Sequence, residues 1–332
     1  MRRLALLAAC LMSPAAANAQ APQFLPVNDT LEIEVHGLRT WTAQGLNDTL
    51  ARISPGLSLA SHACAGVMRR FLGFADAGVM YEPRSADGIV RVVITAIEPG
   101  DSALVRRVPS PPGARPPIES WQPTLSILRN EFPALFPLQL PRFLRGETDS
   151  IGTPGRAATP TELKLRGEIR AHASARDLED ALTVLRDDST SWHRIAAIWM
   201  LTNFPNDARA WGALLGAARS ERPMGYETWA LATMVPPWGD GSVSLAPHEE
   251  TLAALVSGTG AMQIMFTLRL LNTVTLEPTL ARSLAVAGRD LLLSNLQSRV
   301  PNRRDAARTF LERASGESYG NDVEAWRRWL DR

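Results

Sequence analysis

Lysine is nearly absent from this 332-residue chain: Lys164 stands alone among 35 basic side chains, the rest being arginine. These face 34 acidic groups, for a formal charge of +1. A balance this even excludes the one-signed basic field that nucleic-acid binding requires. Cysteine is equally scarce, with only Cys10 and Cys64. Cys10 lies in a segment read below as a removable leader, so Cys64 has no partner for an intramolecular disulfide and reads as a buried, inert thiol. Beyond that leader no apolar run approaches the ~18–20 residues of a membrane span.

The chemistry-bearing motifs are missing as well. There is no phosphate loop, no G-x-G-x-x-G after a strand and no G-x-S-x-G elbow. His248-Glu249-Glu250 lacks the second histidine of a zinc protease helix, and no two of His36, His62, His172, His193 and His248 are spaced four apart. His62 and Cys64 point about 200° apart on a helix, too far to share a metal. The acidic groups Asp177, Glu179 and Asp180, and likewise Asp187 and Asp188, fall at predicted helix ends, where carboxylates cap and meet the dipole. These absences imply a protein with no cofactor, no metal and no catalytic residues.

What is present begins with a leader. Arg2 and Arg3 precede an apolar run over 4–12, and Ala17-Asn18-Ala19 supplies a small-residue cleavage site. The layout predicts a secretory signal over 1–19, cleaved after Ala19, and a mature protein in the bacterial periplasm or outside the cell. Lipidation at Cys10 is disfavoured, because only six apolar residues come before it.

An extended, proline-bearing tail at 21–27 comes next. Leu31, Ile33 and Val35 then alternate with Glu32, Glu34 and His36, the period-two pattern of a strand with one buried face. Helical spacing follows over 42–53 and again over 61–72, where Cys64, Val67, Met68, Phe71 and Leu72 share one side. Strands are predicted at 79–82 and 89–97, joined through Asp87-Gly88. This β-α-α-β-β order has Gly37 after its first strand, Gly73-Phe74 after its second helix and Glu98 closing the last strand. In these features it resembles the POTRA domain, a small periplasmic module of outer-membrane assembly, secretion and some division proteins. The resemblance covers about 30–99. It implies a three-stranded sheet with two helices on one face, and a protein-binding role in which a strand edge accepts an extended partner. The expected free edge is 79–82, with Val79 and Tyr81. No series of amphipathic strands follows to make a barrel.

Residues 100–160 read as a proline-rich linker holding one short helix at 121–136. From 161 to 332 helical periodicity dominates. Trp192, Ile195, Ala196 and Trp199 lie on one side, while Ala197, Ile198 and Leu201 make the neighbouring side apolar, so this helix must be covered twice. Comparable helices start near 193, 225, 262 and 303, including one expected at 226–235. Their uneven spacing, and an ending with Asp305-Ala306-Ala307, Phe310-Leu311, Gly316, Tyr319-Gly320, Trp326 and Trp329, resemble bacterial HEAT-repeat proteins. The fold expected is mainly α: a HEAT-like α-solenoid of helical hairpins preceded by a small α+β domain.

Solenoids of this kind bind more often than they catalyse. The expected function is that of an exported, non-catalytic adaptor or scaffold with protein partners at the cell envelope. The alternative is an enzyme accessory, or a small-ligand or lipid-binding protein, with its site between solenoid and linker. Candidate partner-binding residues are Val79 and Tyr81 on the strand edge, Trp238 in a Pro/Gly-rich loop, and Arg303 and Arg304 in a basic patch.

Overall fold

The proline-bearing stretch read as a tail forms a strand, β1 (Gln23–Asn28), which pairs antiparallel with β2 (Leu31–His36) around a turn where Asn28 Oδ1 accepts the Thr30 N–H at 2.9 Å. Pro26 hides this strand in the sequence. On an edge strand the missing N–H costs no ladder bond. The sheet is therefore four-stranded rather than three-stranded, in the spatial order β1-β2-β4-β3, with β3 at Asp76–Glu82 and β4 at Val90–Ile97. β2 and β4 run parallel and β3 pairs antiparallel with β4. The computed structural model describes residues 21–82, 87–109, 111–135, 157–220, 243–258 and 260–332. The expected leader at 1–19, the helix expected at 226–235 and Trp238 lie outside the described residues.

Two helices cross over one face of the sheet. In α1 (Ala43–Ile53), Thr42 caps the start by accepting the Gly45 N–H, and Ala43, Leu46 and Leu50 form the buried stripe. α2 (Cys64–Phe71) buries Cys64, Ala65 and Met68, whereas Phe71, placed on the apolar side by its spacing, is exposed. Together they cover Ile33, Val35, Val92, Ile94 and Ala96. Burial pushes the Cys64 thiol up to about 12, so it stays protonated and unreactive at neutral pH. Gly37 turns the chain out of β2 with a φ of 86°, and a Cβ there would overlap the Ala96 carbonyl oxygen. Only glycine fits that junction.

The opposite face of the sheet differs from its expected reading. Alternation marks Glu32, Glu34 and His36 as the solvent side of β2, yet all three are buried, together with Arg91, Thr95 and Glu82. The helical part of the molecule covers them. Period-two patterning reports that a face is polar, and a polar face can still be buried when its charges find partners.

The chain is mainly helical. α3 (Gln122–Leu135) follows a short 3₁₀ turn; Trp121 from the turn and Leu125 and Leu128 from the helix enter the main helical core, so this helix is packed rather than carried in a loose connector. α4 (Pro160–Ala171) and α5 (Ala175–Asp187) each start on a capping box, Thr159 with Glu162 and Ser174 with Asp177. α6 (Ser191–Leu201) is buried on every side from His193 to Leu201, as its two apolar faces require. Then come α7 (Ala208–Ala218), α8 (Glu249–Ser257), α9 (Ala261–Thr273), α10 (Pro278–Ala287), α11 (Arg289–Leu296), α12 (Pro301–Ser315) and α13 (Val323–Leu330). One continuous apolar core runs from Trp121 to Leu330. Gly316 ends α12 in the left-handed conformation with a φ of 73°. The chain then closes on Trp326 and Trp329, whose rings meet edge-on at 6.0 Å.

Candidate functional site

Where the sheet meets the helices, the buried charges are organised in pairs. Glu34, fully buried, is 2.7 Å from His36 Nε2 and accepts the Arg299 N–H at 3.0 Å, while His36 Nδ1 lies 2.7 Å from Ser294 Oγ. Arg91 donates to Glu32 at 3.1 Å, and Arg299 donates to the same carboxylate. At the far side of the seam Arg303 Nε meets Glu82 at 2.8 Å, and Arg107 meets Asp76 at 2.8 Å. Met80 and Val93 of the sheet join Met265, Phe266 and Val300 in a small apolar cluster between these pairs. The α+β unit is thus fastened to the helical unit through its polar face.

Burial alone would raise the Glu34 pKa. Hydrogen bonds from His36, Ser298 and the Arg299 backbone, with the charge of His36, outweigh it and hold the carboxyl below its ordinary value of 4.5. A carboxyl depressed on folding contributes stability that is full above about pH 4.5 and is lost as pH falls through the folded value. Urea unfolding from neutral pH down to about pH 3 is therefore expected to show a falling midpoint, with a shallower fall for Glu34→Gln. An unchanged slope in that variant would remove Glu34 from the seam's account.

Beside the paired seam lies a cavity of about 460 Å³. Its walls come from the ends of β2 and β4, the 3₁₀ stretch Pro99–Leu104, the end of α7, α8, and the junction of α10 with α11. The floor is apolar, built by Ala96, Ile97, Ala253, Ala254 and Leu291, and Leu104 and Ala287 stand exposed on its border. Six charged side chains line it: Arg39, Arg106 and Arg219, and Asp101, Glu250 and Asp290.

The positions of these charges are fixed by local structure. Glu98 accepts the backbone N–H groups of Arg39 at 2.8 Å and Trp41 at 3.0 Å, together with that of Thr40, which rigidifies the turn that presents Arg39. Arg39 in turn meets Asp101 at 3.0 Å. Arg219 Nε donates to the Arg106 carbonyl at 3.3 Å, and the Val108 N–H donates to the Arg219 carbonyl at 2.8 Å, so the two segments are laced together. Neither Arg106 nor Arg219 has a carboxylate partner among the described residues. Asp290 and Glu250 make no side-chain hydrogen bond or ion pair there either. Asp290 is open to the cleft, yet desolvation by the surrounding protein pushes its pKa up against the opposing pull of Arg289, Arg39 and Arg327. An unpaired, partly desolvated carboxylate facing a cleft is a mark of sites kept for a ligand.

The residues singled out from the sequence are scattered relative to this cleft. Val79 and Tyr81 do lie on β3, at the sheet edge. Val79 packs on the core beneath α1 and α2, while Tyr81 is partly exposed with its ring 4.4 Å from that of His62. Arg303 is withdrawn from the surface into its pair with Glu82, and Arg304 beside it stays partly exposed, 3.6 Å from Asp305. The two therefore form no common basic patch. His172 and His193 are held by Asp177 and Asp188 at 2.8 and 2.7 Å, each a local bond across a helix start. Among the described residues no three histidine, cysteine or acidic side chains are gathered to hold a metal ion, and no helix is long and apolar enough to cross a membrane.

The cleft residues escaped the sequence reading because they belong to separate segments and form no motif. The one signal was local: Arg39 sits two residues beyond the glycine that ends β2. No family model, no curated protein and no solved structure matches the chain.

Proposed function

We propose that the protein is an exported, non-catalytic adaptor of the bacterial cell envelope that recognises a protein partner through the cleft between its α+β unit and its helical unit. The observation that carries this reading is the cleft itself: a preformed cavity of about 460 Å³ with an apolar lining and charges of both signs that are unpartnered among the described residues, beside a paired and buried seam. Cavities of roughly 300–1,000 Å³ with an apolar lining and a few convergent polar groups are the usual form of a binding site. The stacked helices support a HEAT-like reading of the helical unit, and the two-helix crossover on a small sheet supports a POTRA-like reading of the other. Export follows from the leader pattern at 1–19. The cavity's size also favours a second reading, a carrier of a small ligand.

Ala287→Trp tests the proposal, because it places a large ring at the border of the cleft from an exposed position. Partner co-isolated from envelope extract on the tagged full-length chain is expected to fall at least about tenfold, the loss expected when a well-packed contact worth ~1.4 kcal/mol is blocked. Helix content by circular dichroism should stay unchanged. Undiminished recovery of the same partner on the variant would move recognition elsewhere, the β3 edge at Val79 and Tyr81 being the next place to block.

A further inference from the structure

Resting on the recognition reading above, we infer that the cleft takes the carboxyl-terminal end of a partner polypeptide, its terminal carboxylate held by Arg106 and Arg219 and a basic side chain of the same segment facing Glu250 and Asp290. Arg106 and Arg219 are half-buried, and the Nε–O bond between them ties the 3₁₀ segment's exit to the end of α7. Arg106 Nη1 donates to the Ala103 carbonyl, which helps to fix its fork, and neither guanidinium has a carboxylate to meet among the described residues. Guanidinium groups held in place before the ligand arrives, at a site partly closed to water, suit a carboxylate because the fork of donors matches its two oxygens. A second, smaller cavity borders this end only, sharing Arg106, Arg219 and Ala254 with the main one.

The acidic groups belong to other walls of the cleft. Asp290 stands on the first turn of α11, within electrostatic reach of Arg39, Arg289 and Arg327, and Glu250 on the first turn of α8. Their carboxylates, having no bonded partner among the described residues, are available to a cation. Arg39 is already committed to Asp101 and adds no free charge. Among the described residues the unpaired groups are two positive and two negative, which leaves no net charge with which to hold a polyanion such as a phosphorylated lipid or nucleic acid. A ligand with one carboxylate and one cation, joined by an apolar stretch over Ala253 and Ala254, complements all of it. Capture of a chain's end by prearranged donors is an established mode of peptide recognition.

The test uses the full mature chain and N-terminally fluorescein-labelled hexapeptide libraries in three forms: free acid, carboxamide, and free acid lacking lysine and arginine. Fluorescence anisotropy is expected to show the free acid bound at least about tenfold more tightly than the carboxamide, as a charge-assisted pair requires. Arg219→Gln should bring that ratio close to one, with Arg106→Gln as the second variant should the first fail to fold. Removing basic residues from the library should weaken binding, and Asp290→Asn should abolish that dependence. Equal binding of acid and carboxamide, lost in Ala287→Trp, would leave the recognition cleft standing and overturn the chain-end assignment. Free lysine or arginine competing as well as the peptides would overturn the polypeptide in favour of a small zwitterion. No binding of any library would overturn both.

Discussion

Arg303→Met is expected to lower the stability of the protein by about 3–5 kcal/mol, as measured by urea unfolding. The side chain is 1% exposed and its partner Glu82 is 5% exposed. Removing the guanidinium takes from the Glu82 carboxylate, buried between the sheet and α12, the partner that meets it at 2.8 Å. Methionine fills most of the volume, so the effect measured is mainly that of the orphaned charge. The double variant Arg303→Met with Glu82→Leu should recover most of the loss, because burying an apolar pair avoids the desolvation of two ions. A single variant within about 1 kcal/mol of wild type would mean that the pair is solvated, and that the seam opens in solution.

Trp326→Ala is expected to cost a similar amount, about 3–5 kcal/mol, and to act at the other end of the helical unit. The indole is fully buried, stacks edge-on against Tyr319 at 4.8 Å and donates from Nε1 to the Gly320 carbonyl at 2.9 Å. Truncation therefore opens a cavity under the closing helix and leaves the half-buried Gly320 carbonyl without its donor. Trp329, held beneath the Arg282 guanidinium at 4.0 Å, covers the neighbouring side. Since the apolar core is continuous from Trp121 to Leu330, the loss should appear as a lower midpoint of one cooperative transition. Separate melting of α13 would instead mark the closing helix as an independent element.

Both variants bear on how much of the molecule could be read before folding. The covering of α6 on two sides follows from its apolar positions, and the strand-helix-helix-strand-strand order of the N-terminal unit follows from periodicity and from Gly37, Gly73 and Asp87-Gly88. Periodicity failed at β1 because a single proline outweighs a short alternating run, although an edge strand tolerates it. It failed again at the underside of the sheet. Glu32, Glu34 and His36 are polar whether they face water or a partner, and their partners Ser294 and Arg299 lie more than 250 positions away, with separations of 258 for His36–Ser294 and 265 for Glu34–Arg299. Arg303 shows the same limit from the other side: its place in a run of arginines suggests a surface patch, whereas one member of that run closes an ion pair with β3. The cleft was the least legible feature of all. Arg39, Arg106, Arg219, Glu250 and Asp290 each look like an ordinary surface charge, and only the docking of the two units gathers them.

Docking of the two units creates the site, and this is tested most directly by placing a small aliphatic diazirine residue, without the ring that would block the cleft, at Ala287 on the cleft border, and in a separate variant at Leu163, exposed on α4 away from the cleft. Irradiated in cells producing the full-length chain, the Ala287 variant should yield a discrete adduct whose partner peptide maps to a carboxyl-terminal segment, and the Leu163 variant should not. The same adduct from both positions, or none at Ala287 while Leu163 reacts, would contradict it.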